Sequence, residues 1–170
     1  MTMFSVSVLQ DFREYMMKTK KMFPLYVDLS EKHILVAGGG TIGERRVKSL
    51  LSFAGKITVV SPELTEELKS LAEEGRITWI CRNYEKDDLD SADIVLGATD
   101  HEEVNYRIYS DCREKQITVN ISNDKSKCDF YFPGIIQHDD IVIGFNGGGT
   151  NHRKTREVRE QVQKFLEEEK

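Results

Sequence analysis

Long apolar runs are missing from this chain: no stretch approaches the about 20 residues that cross a bilayer, so a membrane-spanning helix is not expected. Cysteine is scarce. Three residues, Cys81, Cys112 and Cys128, are an odd number and widely spaced, which excludes a disulfide framework and fits a reducing cytoplasm. Positive charge is in deficit, 24 Lys and Arg against 29 Asp and Glu for a formal net charge of -5, whereas a nucleic-acid binder needs a basic face to neutralise phosphates. Residues 1–21 lack a compact apolar core followed by a small-residue cleavage site, so they read as a short extension and not as a signal peptide. Internal repeats and low-complexity linkers are also absent.

What is present is ordinary for a globular protein: 170 residues, 39% hydrophobic and 31% charged, enough for one sizeable domain and a small appendage. "KHILVAG" and "KITVVSP" are β-branched runs ended by Gly or Ser-Pro, and between them Val47, Leu50, Leu51 and Ala54 recur at helical spacing. After Pro62, Leu64, Leu68 and Leu71 mark a second helix stopped by Gly75. "RITWICR", "ADIVLGAT" and "QITVNIS" read as strands, with the amphipathic "EEVNYRIYSDCREK" before the last of them. Strands alternating with helices predict an α/β fold, a Rossmann-type doubly wound parallel sheet over residues 22–133. Residues 134–170 differ in kind: "DIVIGFN" reads as a strand, and a final helix carries Val158, Val162, Phe165 and Leu166 on one stripe, a small α+β segment.

Gly38-x-Gly40-x-x-Gly43 follows a strand and opens a helix, the context a dinucleotide fingerprint requires, although a tight strand-to-helix turn would use the same letters. Physically, Gly38 makes the turn, Gly40 and the backbone of Thr41 and Ile42 approach a pyrophosphate, and Gly43 lets helix and strand pack closely. The acid that normally follows the second strand and holds the ribose hydroxyls is missing; Ser61, Pro62 and then Glu63 stand there. With no Lys or Arg beside them to pair a 2′-phosphate, NAD is expected over NADP. Ala98 and Thr99 end another strand and point at the same crevice, with Thr99-Asp100 equally suited to cap a helix. Asn120 to Asp124 close a further strand and place a carboxylate at the crevice mouth, where Asn-Asp-Lys could also be simple turn chemistry. "GGGTNHRKTREVR" sets Arg153, Lys154, Arg156 and Arg159 behind glycines, either a solvated helix face or a seat for a small polyanion. His138, Cys128 and Asp129 lack metal-ligand spacing, so no metal is expected.

The stretch "MFPLYVDLSEKHILVAGGGTIGERRVKSLL", the "VVSPE" after the second strand, "ATD" and "VN" at Ala98 to Asn105, and "VNISNDKSKCDFYFPGII" together resemble the precorrin-2 dehydrogenase family, the dehydrogenase module of siroheme synthases. The resemblance runs from about Met22 to the end and implies oxidation of precorrin-2 to sirohydrochlorin with NAD as hydride acceptor, on the route to siroheme or cobalamin. It implies a homodimer joined through the segment after the nucleotide domain. On the site it implies Asp124, with Asn123 beside it, as the catalytic acid, and Asn120, Gly148, Gly149, Asn151, His152, Arg153 and Lys154 as substrate contacts. Some members also insert Fe2+ or Co2+; here Asn151-His152 replaces the family's Ser-Pro, which bears against metal insertion. The alternatives are a bifunctional dehydrogenase and chelatase, and a non-catalytic NAD-sensing module. Many members continue into a further helical domain, whereas this chain stops at Lys170.

Overall fold

The computed structural model describes residues 22–148 and 151–168. Two compact units are present, Val27–Phe132 and, separately, residues 22–26 with 133–168. The first is built on five strands, β1 (His33–Ala37), β2 (Lys56–Val60), β3 (Thr78–Ile80), β4 (Ile94–Gly97) and β5 (Thr118–Ile121), in the order β3-β2-β1-β4-β5. Every neighbouring pair is parallel, with Ile34 of β1 opposite Ile57 of β2 on one side and Ile94 of β4 on the other.

A strand covered on both faces must be apolar at every position, and "ILVA" is. Because successive side chains alternate, Ile34 and Val36 join Val59 and Leu96 beneath Val47 and Leu50 of helix α1 (Thr41–Leu50) and Leu68 and Leu71 of helix α2 (Glu66–Glu73). Leu35 and Ala37 turn the other way, joining Val60, Val95 and Val119 against Ile108 and Cys112 of helix α3 (Glu102–Lys115). Burying one such side chain contributes about 1.5–3 kcal/mol. Leu64, expected in the second helix, lies before its cap: Thr65 is the N-cap, its hydroxyl accepting from Leu68 N at 3.4 Å.

After β5 the chain turns through a short 3-10 segment, Lys125–Lys127, and is stitched back to the sheet edge. Asp129 acts as a surrogate strand: its N–H donates to Val119 O at 2.9 Å, while its Oδ2 accepts from Val119 N at 2.9 Å. Cys128 Sγ lies 3.3 Å from Ile121 N and 3.2 Å from Ile121 O, and burial raises its thiol pKa. Phe130 and Phe132 then pack on the α1 side of the core, with the Arg46 guanidinium 4.1 Å above the Phe132 ring.

In the second unit β6 (Gly134–His138) and β7 (Ile141–Phe145) pair antiparallel through a two-residue turn in which Asp139 has φ 52°. The single strand expected here is thus half of a hairpin; the Asp139-Asp140 turn carries no glycine to announce it. Helix α4 (His152–Glu168) buries none of its described residues, and Phe165 and Val158 remain 59% and 40% exposed. Among the described residues no helix is long and apolar enough to cross a membrane.

Candidate functional site

The carboxyl ends of β1, β4 and β5 converge at the point where strand order reverses, the usual ligand crevice of such sheets. Gly38 leaves β1 with φ +115°, and a Cβ there would sit 2.5 Å from Ala98 O, so both conformation and space demand glycine. A Cβ on Gly43 would meet Gly38 O at 2.1 Å, which ties α1 closely to the turn. Gly40 is different: a Cβ there would meet nothing within 4 Å, and as N-cap of α1 it makes no side-chain cap bond. Thr41 and Ile42, which follow it, are exposed, and the first N–H groups of α1 have no intrahelical partner, an arrangement that fits a pyrophosphate. Gly39, a variable position in the fingerprint, is also constrained, since a Cβ would lie 2.2 Å from Glu63 O. Ser61 is buried below this contact and Pro62 is exposed.

Beside the glycines, Ala98 N donates to Ala37 O at 2.8 Å, which holds the end of β4 against β1. The organiser of this region is Asn105 of α3, a residue without an assigned role in the sequence reading. It is 1% exposed, accepts from Thr99 Oγ1 at 2.8 Å and Thr99 N at 3.3 Å, and donates to Thr99 O at 3.0 Å and Asn123 Oδ1 at 3.1 Å. Its signal in sequence is an Asn on the inner face of an otherwise apolar helix stripe. Thr99 shapes the entry to α3 by accepting from His101 N at 3.3 Å, but the N-cap itself is His101 and not Thr99-Asp100.

Asn123 and Asp124 line a cavity of about 320 Å³ with Asn105, Tyr106, Ile121, Lys127 and the two glutamates that open α3. Asp124 caps the 3-10 segment, Oδ1 accepting from Ser126 N at 2.9 Å and Ser126 Oγ at 2.6 Å, and pairs through Oδ2 with Lys127. The Lys127 ammonium, then the Ser126 bonds, hold this carboxyl down at about 2, so it is ionised throughout the physiological range. Turn chemistry and crevice placement thus coexist in one residue. Asn120 is buried, its amide donated to Phe130 O at 2.8 Å, and braces the loop that carries Asp124.

The remaining expected substrate contacts lie in the second unit. Gly148 has φ +63° and donates its N–H to Asn146 Oδ1 at 2.7 Å; Gly149 lies outside the described residues. Asn151 caps α4, its Oδ1 accepting from Lys154 N at 3.1 Å, and His152 is the exposed first helical residue. The basic run is partly neutralised along its own helix, Arg153 by Glu157 at 2.8 Å and Arg156 by Glu160 at 2.7 Å. Lys154 makes no ion pair among the described residues.

Residues 25–134 match a family described as "Putative NAD(P)-binding". The chain is 35% identical over 146 residues to the precorrin-2 dehydrogenase of Bacillus subtilis (strain 168), covering 86% of this chain and 90% of that one. The chain belongs to the precorrin-2 dehydrogenase family. Other relatives are larger: the "Probable multifunctional siroheme biosynthesis protein HemA" of Ruminiclostridium josui is 41% identical over 144 residues, 84% of this chain and 28% of that protein. The siroheme synthase of Buchnera aphidicola subsp. Acyrthosiphon pisum is 34% identical over 143 residues, again 84% of this chain and 30% of its own length. Against those two relatives, this precorrin-2 dehydrogenase family chain spans less than a third of the length. Among solved structures, one titled "SirC, precorrin-2 dehydrogenase" superposes with a TM-score of 0.71 at 24% identity, covering 84% of this chain and 70% of that one, and shares its fold.

Proposed function

We propose that this chain oxidises precorrin-2 to sirohydrochlorin with NAD+, releasing NADH and a proton. The observation that carries this reading is that a glycine cradle and a cavity lined by Asn123 and Asp124 sit at the ends of strands of one sheet. The near full-length similarity to a precorrin-2 dehydrogenase supplies the substrate.

NAD+, when bound, supplies the hydride acceptor. The chain's own residues do the rest. Gly38, Gly40 and the N–H groups of Thr41, Ile42 and Gly43 hold the pyrophosphate, with Ser61, Pro62, Ala98 and Thr99 bordering the nucleoside. Asn105 fixes Thr99 and Asn123 relative to each other. Asp124, kept ionised by Lys127 and Ser126, accepts a hydrogen bond from a pyrrolic N–H and passes the departing proton to water. A carboxylate held near 2 is a weak base, so it serves chiefly by orienting the macrocycle and favouring positive charge as the proton leaves. Precorrin-2 is a polycarboxylate, and Gly148, Gly149, Asn151, His152, Arg153 and Lys154 are the candidates to receive its carboxylates.

Two further features belong to the same proposal. An amphipathic helix with no buried residue has to cover its apolar stripe, and a second copy of the chain does so, which makes the enzyme a homodimer. Three free cysteines, one of them exposed, suit a reducing cytoplasm. The test is anaerobic incubation of the purified protein with precorrin-2 and NAD+. NADH formation supports the proposal; NAD+ raising the melting temperature without NADH formation marks a sensing module instead.

A further inference from the structure

We propose that Glu63 is the residue that makes this chain select NAD+ over NADP+; the inference rests on the cofactor reading above. In doubly wound folds an acid at the end of the second strand accepts from the ribose hydroxyls and repels a 2′-phosphate. Ser61 occupies that place here, but its side chain carries no charge to repel a 2′-phosphate, and the residue is buried, with its backbone N–H on Ile80 O at 3.2 Å and its carbonyl accepting from Trp79 Nε1 at 2.9 Å.

Glu63 is carried to the cradle by the loop itself. Its carbonyl lies 2.2 Å from where a Gly39 Cβ would stand, and Thr65 N donates to Gly39 O at 3.0 Å, so the loop after β2 meets the glycine turn at Glu63 and again two residues on. The Glu63 side chain is exposed and makes no ion pair among the described residues. Lys69 is the cation that feels the Glu63 charge, and its side chain is 42% exposed. Lys69 pairs with Glu66 at 2.7 Å, and Lys48 with Glu44 and Glu67, both at 3.2 Å. At the end of β3, Arg82 donates to both oxygens of Asp88, at 2.9 and 2.6 Å. A ribose 2′-hydroxyl would thus find a carboxylate without an ion pair among the described residues, whereas a 2′-phosphate would be repelled by that same carboxylate.

Equilibrium titration of the full chain with NAD+ and with NADP+ tests this. The wild type should bind NAD+ about 10- to 100-fold tighter, the worth of a hydrogen bond to a charged group. Glu63→Gln, at an exposed position, should fold unchanged, weaken NAD+ and bring the two nucleotides to within about threefold of each other. Raising salt should shrink the wild-type preference and leave that of E63Q unaltered, because charge repulsion is screened. Ser61→Ala, at a residue bordering the nucleoside, should change both affinities by the same factor and keep their ratio. An E63Q ratio equal to that of the wild type, or loss of preference in S61A instead, overturns the role of Glu63 alone. Binding of neither nucleotide overturns the cofactor reading with it.

Discussion

Truncating Asn105 to alanine probes the link between fold and site. The side chain is 1% exposed and makes four hydrogen bonds, three to the Thr99 backbone and hydroxyl and one to Asn123. Thr99 Oγ1 keeps a partner in His101 O at 3.0 Å, and the exposed Asn123 amide finds water, so neither carries much of the loss. Thr99 N and O sit at the half-buried end of β4 and would be left without partners, at about 1–3 kcal/mol each before relaxation. Adding a small cavity and allowing for partial hydration, the expected destabilisation is about 2–4 kcal/mol. Urea unfolding should show this as a lower midpoint with an unchanged slope. Asn105→Asp separates shape from chemistry: it retains an acceptor toward Thr99 N but turns a second, charged oxygen on Thr99 O and Asn123 Oδ1, and should destabilise at least as much. A loss below about 1 kcal/mol in both variants would refute Asn105 as the organiser of the crevice.

Three further outcomes are expected. Gly43→Ala forces a Cβ to 2.1 Å from Gly38 O, so the cradle must open; NAD+ affinity should fall at least about tenfold with a stability loss of about 1–3 kcal/mol, read by titration and thermal melting. Lys127→Met removes the main cause that holds Asp124 near 2, and its carboxyl, followed by NMR, should titrate closer to 3.8. The sign follows: a depressed folded-state pKa stabilises above the ordinary value and that contribution fades as pH falls toward 2, so the variant should be less stable than the wild type at neutral pH, the difference should shrink on acidification, and the acid limb of its activity should move to higher pH. Phe165→Glu, on the exposed stripe of α4, should convert a dimer to a monomer in sedimentation without unfolding residues 27–132; a monomeric wild type would remove the homodimer proposal.

The parallel sheet was legible because β1, β2, β4 and β5 are buried on both faces and read as unbroken β-branched runs, while α3 announced itself by its apolar spacing from Val104 to Cys112. Hairpin β6–β7 was half missed, since Asp139-Asp140 lacks turn glycines and Pro133 precedes a strand only half buried. Within the site, Gly38 and Gly43 could be placed from spacing alone, because each is fixed by a backbone constraint, whereas a Cβ on Gly40 would meet nothing within 4 Å. Gly39 could not be placed, as its neighbour Glu63 arrives from another loop. Asn105 escaped for the same reason: its partners, Thr99 and Asn123, follow two different strands. On α4 the basic run has Glu157 and Glu160 one turn from Arg153 and Arg156, and these pair within the helix, a partnership the i, i+4 spacing makes legible.

The central claim is that the cradle and the Asn123–Asp124 cavity serve one hydride transfer. The most direct measurement is an anaerobic time course of purified protein with precorrin-2 and NAD+, following NADH and sirohydrochlorin absorbance together. Equimolar growth of both, greatly slowed in Asp124→Ala, is the result expected. Sirohydrochlorin appearing no faster than without protein, while NAD+ binds normally, would contradict it.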